Sequence, residues 1–151
     1  MTRGEIAESY FRSGYNCAQS VVMAFSDLTG LSEKESARLA SSFGGGLGRM
    51  REVCGAVSGM AIVLGVLFGY DDPRVQGAAA AHYKRVQSAA GAFQSQNGSI
   101  VCRTLLGDGA PIRSVPDERT AEYYKKRPCP ELVKMAAEIL EKEIEKEKSP
   151  E

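Results

Sequence analysis

Apolar residues recur at intervals of three and four positions along most of the chain. This spacing is typical of helices that bury one face. Strands with one buried face would instead show β-branched and aromatic residues alternating with polar ones, and no segment has that pattern. The sequence therefore predicts an all-α protein, a single compact helical bundle of about six to seven helices around a central apolar helix.

The first third of the chain predicts three helices. The first runs over Thr2–Ser13 and has one apolar face. The second follows Asn16, a residue favoured at helix N-caps, and ends at Gly30. The third begins at Ser32, and Glu35 stands three residues later, which is the spacing of a capping box.

An uncharged run of eighteen residues, Val53–Tyr70, predicts a fourth helix over Val53–Gly69. A run of this length is close to the shortest that spans a bilayer. Four glycines and a serine dilute its hydrophobicity, however, and the neighbouring helices are amphipathic and need an apolar surface to bury against. We therefore expect no membrane span but a central helix, with Met60–Phe68 surrounded on all sides by the others.

Three further helices are predicted in the second half of the chain. A long alanine-rich helix closes at Gln96–Gly98, and its expected buried stripe is Val75, Ala79, Tyr83, Val86, Ala90 and Phe93. A short helix starts at Ser99, and a final helix follows Pro130. The expected buried side of the final helix is Leu132, Ala136, Leu140 and Ile144.

The remaining segments predict no further domain. Residues 108–128 read as an irregular connection with one helical turn near Glu118–Lys125. The charged C-terminal end is expected to fray. Because no linker or internal repeat divides the chain, we expect one four-cysteine helical domain over residues 1–151.

Nineteen basic residues balance nineteen acidic ones, so the net charge is zero. No global field therefore draws the protein to nucleic acid or to an anionic membrane surface. The N-terminal segment carries charges where a secretory signal would be apolar, at Arg3, Glu5, Glu8 and Arg12. This predicts a cytoplasmic protein, whose cysteines are thiols or metal ligands rather than structural disulfides.

Each of the four cysteines falls at or near a predicted helix N-terminus; they are Cys17, Cys54, Cys102 and Cys129. Unpaired backbone N–H groups and the helix dipole favour a thiolate there, and a thiolate is both a metal ligand and a nucleophile. No two cysteines have C-x-x-C spacing, so a shared site has to be assembled from separate helices. Four buried, inert cysteines are the alternative.

Two other features are weaker candidates for function. His82 lies in mid-helix without an adjacent C-x-x-C, so we expect a surface or packing residue rather than a ligand. The glycine loop, residues 44–49 (GGGLGR), follows no strand and lacks the Lys and Ser/Thr of a P-loop. We expect it to allow close backbone approach beside Cys54, with Arg49 and Arg51 able to stabilise a thiolate or attract an anion.

The segments around the cysteines are GYNCAQSVVMAF, FGGGLGRMREVCGAVSGM, GSIVCRTLLG and CPELVKMAAEIL. In this order they resemble the four landmarks of the C_GCAxxG_C_C family of redox-active proteins. The central signature, CGAVSG, covers Cys54–Gly59, and the resemblance extends over about Gly14–Leu140. It implies a redox or metal-linked role and no particular substrate, with Cys17, Cys54, Cys102 and Cys129 at the family's cysteine positions.

The leading hypothesis is a cytoplasmic redox or electron-transfer protein in which the four cysteine thiolates converge. They would hold an Fe–S cluster or cycle between dithiol and disulfide, as a thiol-based oxidoreductase or electron carrier with a redox partner protein. In the dithiol form, Cys54 is the predicted attacking sulfur. Cys17 is the predicted resolving sulfur, because both residues start apolar helices expected to share one core.

Two alternatives belong to other classes of protein. A non-catalytic zinc module would use all four cysteines as ligands, since four thiolates satisfy a tetrahedral, redox-silent ion. An interaction protein would have no site at all and would form a homodimer through the small-residue face of Gly55, Ala56 and Gly59.

Overall fold

The computed structural model describes residues 1–107 and 110–148. The helices in these ranges are α1 (Arg3–Arg12), α2 (Cys17–Met23), α3 (Ser26–Thr29), α4 (Glu33–Ala40), α5 (Gly55–Phe68), α6 (Ala78–Asn97), α7 (Cys102–Leu106), α8 (Ala121–Lys126) and α9 (Cys129–Lys148). A 3-10 turn, Ser41–Phe43, follows α4. The described residues contain one isolated β-bridge, between Val53 and Val101, and no strand. The all-α prediction is confirmed.

The predicted N-caps of the second and third helices are confirmed. The Asn16 side chain accepts a hydrogen bond from the Gln19 N–H at 2.9 Å, and the Ser32 side chain accepts one from the Glu35 N–H at 3.0 Å. In both cases the later side chain accepts a hydrogen bond from the N–H of the cap residue, which completes a capping box. Thr2 and Glu5 form a third box at the start of α1.

The described residues form two more helices than predicted. The predicted second helix is divided into α2 and α3, and the turn near Glu118–Lys125 is a separate helix, α8. The division falls at Phe25, whose backbone leaves the helical region and whose ring is fully buried. Arg3 donates a 2.8 Å hydrogen bond to the Ala24 carbonyl. The break therefore leaves a satisfied helix end and allows Phe25 to fill the core.

The apolar helix α5 is central except in its last turn. Val63 and Leu64 are fully buried, and α5 contacts α2, α6 and α9. Val66 is 43% exposed, so the prediction that Met60–Phe68 is surrounded on all sides is wrong for this turn. The part of the helix near Cys54 is instead the more enclosed. No helix within the described ranges is long and apolar enough to cross a membrane.

Two glycines of α5 allow close contact with α2. A Cβ atom on Gly59 would lie 2.9 Å from the Val21 Cβ, and one on Gly55 would lie 3.2 Å from the Cys17 Cβ. Any side chain there would overlap α2. The face formed by Gly55, Ala56 and Gly59 is thus buried within the chain, and the expectation that it forms a dimer interface is wrong.

The buried face of α6 differs from the predicted stripe. Phe93 is buried as predicted, but Tyr83 is 55% exposed. Val75, which is 56% exposed, precedes the helix. Ala89 and His82 are buried instead, which confirms His82 as a packing residue; its ring lies 6.4 Å from the Tyr70 ring. Alanines lie on several sides of α6, so the apolar residues of its sequence do not mark a single buried face.

The C-terminal helix α9 buries the predicted side, with Leu132, Ala136, Leu140 and Ile144 all in the core. It packs against α1, α2, α5 and α6, so its first residue, Cys129, lies beside the starts of other helices. The charged end is helical to Lys148, and residues 149–151 lie outside the described part. Residues 108 and 109 of the predicted irregular connection also lie outside it.

Candidate functional site

The predicted placement of the cysteines at helix starts is confirmed for all four. Cys17, Cys102 and Cys129 are the first residues of α2, α7 and α9, and Cys54 is the N-cap of α5. Cys54, Cys102 and Cys129 are buried, Cys17 is half-buried, and all four are free thiols.

All four cysteines line a single cavity of about 430 Å³. Four helices that are distant in sequence thus direct their N-terminal ends at one space. The remainder of the wall comes from the glycine loop, from the connection that precedes α8, and from apolar side chains of α7 and α9. A cavity of this volume is within the range of small-molecule sites.

The glycine loop forms its part of the wall in a left-handed conformation. Gly46 has a φ of 77°, and a Cβ atom there would lie 2.7 Å from the Cys102 Cβ. The predicted close backbone approach is present, although against Cys102 rather than Cys54. Leu47, Arg49 and Arg51 also have φ between 64° and 68°, a conformation uncommon for residues with side chains.

Backbone hydrogen bonds join the segments of Cys54 and Cys102. The Cys54 N–H donates to the Ile100 carbonyl at 2.8 Å, and the Cys102 N–H donates to the Glu52 carbonyl at 2.6 Å. These bonds flank the bridge between Val53 and Val101. The starts of α5 and α7 are therefore fixed relative to each other.

Arg51 is a buried charge on the wall of the cavity, with 3% of its surface exposed. Its Nε donates to the Pro111 carbonyl at 3.1 Å, and its Nη1 lies 3.9 Å from the Cys102 sulfur. Its Nη2 is buried and has no hydrogen-bond partner among the described residues. A buried guanidinium in this state favours an anion nearby.

A second group of charges meets at Asp117. Its carboxylate receives hydrogen bonds from Arg127, from Arg113 at 2.9 Å and from Arg49 at 3.3 Å. The hydrogen bond from Arg113 and the charges of all three arginines lower the pKa of Asp117. This network fixes the glycine loop to the connection before α8.

Arg119 completes the basic lining. Its guanidinium lies 4.2 Å from the centre of the Phe11 ring and donates to the Phe11 and Tyr15 carbonyls at 2.8 and 3.0 Å. Among the described residues, the cavity is lined by the single carboxylate of Asp117 and four guanidinium groups, those of Arg49, Arg51, Arg119 and Arg127. Its field therefore favours negative charge.

Two of the thiols are held in the protonated form by burial. Burial raises the pKa of Cys54 to about 12, although the Ala56 and Val57 N–H groups act in the opposite direction. Burial also raises the pKa of Cys102, and Arg51 partly offsets that effect. At Cys54 desolvation outweighs the helix N-terminus, which is the reverse of the balance that the sequence suggested.

Cys17 and Cys129 form an interacting pair. A hydrogen bond from the Cys17 thiol is the largest cause that lowers the pKa of Cys129, and the charges of Arg127 and Arg119 add to it. The same interaction, together with burial, raises the pKa of Cys17 well above that of an ordinary thiol. A negative charge on this pair therefore resides on Cys129.

Sequence reasoning did not identify Arg119, Arg127 and Asp117 as part of the site. Arg127 stands two residues before Cys129, and this basic neighbour is the local signal that could have indicated a stabilised thiolate. Arg119 and Asp117 lie in the irregular connection, and only the fold brings them to the cavity.

The described side chains do not fit a bound metal in this conformation. In residues 1–107 and 110–148, no three His, Cys, Asp or Glu side chains are arranged to share one ion. We therefore derive no step through zinc or an Fe–S cluster.

The fold and the cavity together define an all-α protein with four cysteine thiols around one basic cavity. Residues 15–143 match the model of the family described as "Putative redox-active protein (C_GCAxxG_C_C)". The chain belongs to this family, and the resemblance of its cysteine segments is confirmed. Neither a curated protein nor a solved structure matches the chain.

Proposed function

We propose that the protein is a thiol–disulfide oxidoreductase or electron carrier whose working pair is Cys129 and Cys17. The observation that carries this proposal is that both residues begin helices at the wall of one cavity, where their side-chain interaction lowers the pKa of Cys129. The pair therefore favours a thiolate on Cys129 beside a protonated Cys17, and these are the two groups that disulfide exchange needs.

The proposed exchange has two steps. The Cys129 thiolate attacks one sulfur of a substrate disulfide, so that the substrate S–S bond breaks, a mixed disulfide forms, and the departing thiolate takes up a proton. The mixed disulfide removes the Cys129 thiolate, the largest cause of the raised pKa of Cys17, so Cys17 can then lose its proton. Its sulfur attacks the Cys129 sulfur, which releases the second substrate thiol and leaves a Cys17–Cys129 disulfide. One substrate disulfide and two protein thiols become two substrate thiols and one protein disulfide.

The reverse sequence returns the protein to its dithiol state. A reduced dithiol of a partner protein attacks the Cys17–Cys129 disulfide and becomes oxidised in turn. This is the redox partner that the four-cysteine pattern led us to expect. We place the cycle in the cytoplasm, a reducing compartment in which the pair can be returned to its dithiol state.

Our proposal assigns the attacking role to Cys129, whereas the sequence favoured Cys54. Cys54 with a pKa of about 12 is almost entirely protonated at neutral pH and is a poor nucleophile. We propose that Cys54 and Cys102 stay protonated and take no part in the exchange. The fixed bridge between their helix starts suits that static role.

Anaerobic purification with metal analysis, acid-labile sulfide and thiol titration tests the proposal as a whole. We expect four titratable thiols and no stoichiometric metal, with two thiols lost on mild oxidation and recovered on reduction. Brown protein with labile sulfide would support the cluster instead, and stoichiometric zinc the zinc module. Four thiols that resist oxidation would support the site-free interaction protein.

A further inference from the structure

We propose that the cavity binds a small anionic disulfide, or the thiol derived from it, with the negative group of the ligand held at Arg51. This inference rests on the proposed function for its sulfur chemistry and adds the class of substrate. The anion site is inferred from the distribution of charged side chains around the cavity, a feature that thiol–disulfide exchange itself does not require.

Two arginines of the cavity lining, Arg51 and Arg119, have no carboxylate partner among the described residues. The Arg119 guanidinium donates to the Phe11 and Tyr15 carbonyls, whereas the buried Nη2 of Arg51 has no hydrogen-bond partner in that part of the chain. Arg49 and Arg127 pair with Asp117, and Arg103 pairs with Glu52. Within the described residues the hydrogen bonds of the Arg51 guanidinium go to the Pro111 carbonyl and the Cys102 sulfur. A buried guanidinium without a counter-ion is unfavourable, so a bound carboxylate or sulfonate would stabilise this wall.

The backbone conformation at Arg51 holds this residue at the cavity wall. Its φ of 64° lies in the left-handed region, and its N–H donates to the Gly45 carbonyl at 3.1 Å. A residue with a side chain keeps this conformation only where its surroundings impose it. The glycine loop thus holds Arg51 against the cavity wall.

The dimensions and the lining of the cavity fit a small organic molecule. About 430 Å³ exceeds the space of a single inorganic ion and is too small to admit a folded domain. Leu105, Leu106 and Leu132 contribute apolar surface, whereas the thiols and arginines contribute the polar groups. An alkyl disulfide with a terminal anion matches this combination.

The chemistry is that of the two-step exchange, with the ligand as oxidant. Attack by Cys129 breaks the S–S bond of the ligand and forms a mixed disulfide, and the departing anionic thiolate becomes a thiol by protonation. Attack by Cys17 on the Cys129 sulfur releases the second anionic thiol. The two electrons lost by the protein pair are those gained by the ligand disulfide.

Three disulfides that differ in charge test the substrate class: dithiodiglycolate, bis(2-hydroxyethyl) disulfide and cystamine. The reduced protein is mixed with each under anaerobic conditions, and each initial rate is divided by that of dithiothreitol with the same disulfide. We expect the anionic compound to be favoured over the neutral one by roughly 10-fold or more, and cystamine to be slowest. Equal normalised rates would overturn the proposal.

Variants locate the anion site. In Arg51→Gln the preference for dithiodiglycolate over the neutral disulfide should fall by roughly 10-fold, and Arg51→Lys should retain part of it. Arg74→Gln is the matched control, because Arg74 is exposed and lies outside the cavity, and it should keep the full preference. An unchanged preference in Arg51→Gln would place the anion elsewhere and overturn our assignment.

Binding of a molecule that cannot be reduced separates this inference from the proposed function. Thiodiglycolate has the two carboxylates but no S–S bond, and calorimetry on the wild-type protein should detect its binding while neutral thiodiethanol gives no signal. Thiodiglycolate binding without any disulfide exchange would refute the redox function and support the anion site. Disulfide exchange without thiodiglycolate binding would support the redox function and refute the anion site. The measurement uses the wild-type protein, so it does not depend on the folding of a variant.

Discussion

The Cys17 thiol interacts with the Cys129 sulfur at the starts of α2 and α9, and this interaction lowers the pKa of Cys129. The two residues are far apart in sequence and begin different helices. Their interaction depends on the packing of α9 against α2. It lowers the pKa of one thiol, Cys129, and raises that of the other, Cys17.

The four thiols should differ in their reaction with iodoacetamide. Cys129 should be alkylated first and at lower pH than a free cysteine, because its pKa is lowered by Cys17, Arg127 and Arg119. Cys54 should react far more slowly than Cys129, with its pKa raised to about 12. Mass spectrometry of peptides from a pH series measures the order. Earlier alkylation of Cys54 than of Cys129 would contradict the assignment of the thiolate.

Burial of the Cys54 thiol also predicts a dependence of stability on pH. The folded pKa of about 12 exceeds the ordinary 9.0, so the folded state holds this proton more tightly than the unfolded chain. The resulting stabilisation is complete below pH 9.0 and is lost as the pH rises toward about 12. Denaturant titrations should show a steeper alkaline loss of unfolding free energy in the wild type than in Cys54→Ser. Parallel curves would argue against a perturbed thiol.

Single cysteine variants should trap or prevent the mixed disulfide. Cys17→Ser leaves the attacking sulfur but removes the resolving one, so it should accumulate an adduct with a disulfide reagent. Cys129→Ser should form no adduct. The intact mass of each variant after reaction measures the outcome, and Cys54→Ser is the control that should complete the exchange. If Cys54→Ser lost the exchange while Cys129→Ser stayed active, the attacking sulfur would be Cys54, as the sequence predicted.

The close contact of α5 with α2 predicts the effect of two glycine substitutions in one helix. Gly59→Leu should lower the free energy of unfolding by about 1–3 kcal/mol, because a Cβ there already lies 2.9 Å from the Val21 Cβ. Gly65→Ala is the matched control, since nothing lies within 4 Å of its Cβ, and it should raise stability by about 0.5–1 kcal/mol. Denaturant titration measures both. Equal changes in the free energy of unfolding for the two variants would show that α5 and α2 are not in close contact at Gly59.

The glycine loop offers a similar comparison at the cavity wall. Gly46→Ala places a Cβ 2.7 Å from the Cys102 Cβ, whereas Gly48→Ala places one where nothing lies within 4 Å. Both residues have positive φ, so both variants carry the left-handed penalty of about 1–2 kcal/mol. Gly46→Ala should lose additional stability and change the reactivity of Cys102. Identical unfolding free energies for the two variants would contradict the contact between the loop and Cys102.

Local signals in the sequence were sufficient for the helix starts. The caps at Asn16 and Ser32 depend on side chains within three residues, and the cysteines follow such starts. The apolar side of α9 was also predictable, because its buried apolar residues recur at helical spacing with charged residues between them. Such features need no knowledge of tertiary contacts.

The chemistry of the thiols was not predictable in the same way. The sequence placed Cys54 at a helix N-terminus, which lowers the pKa of a thiol, but only the fold determines how deeply the sulfur is buried. The charge of Arg119, which lies in the irregular connection and is held by the Phe11 and Tyr15 carbonyls, lowers the pKa of Cys129. Charge and burial at the site thus arise from tertiary packing, which the hydrophobic pattern does not specify.

Disulfide mapping of the wild-type protein after mild oxidation tests the central claim most directly. Limited oxidation followed by alkylation, digestion and mass spectrometry identifies which sulfurs have joined. Our account predicts a peptide pair linked through Cys17 and Cys129, with Cys54 and Cys102 recovered as alkylated thiols. A first disulfide that contains Cys54 or Cys102 and leaves Cys129 free would contradict it.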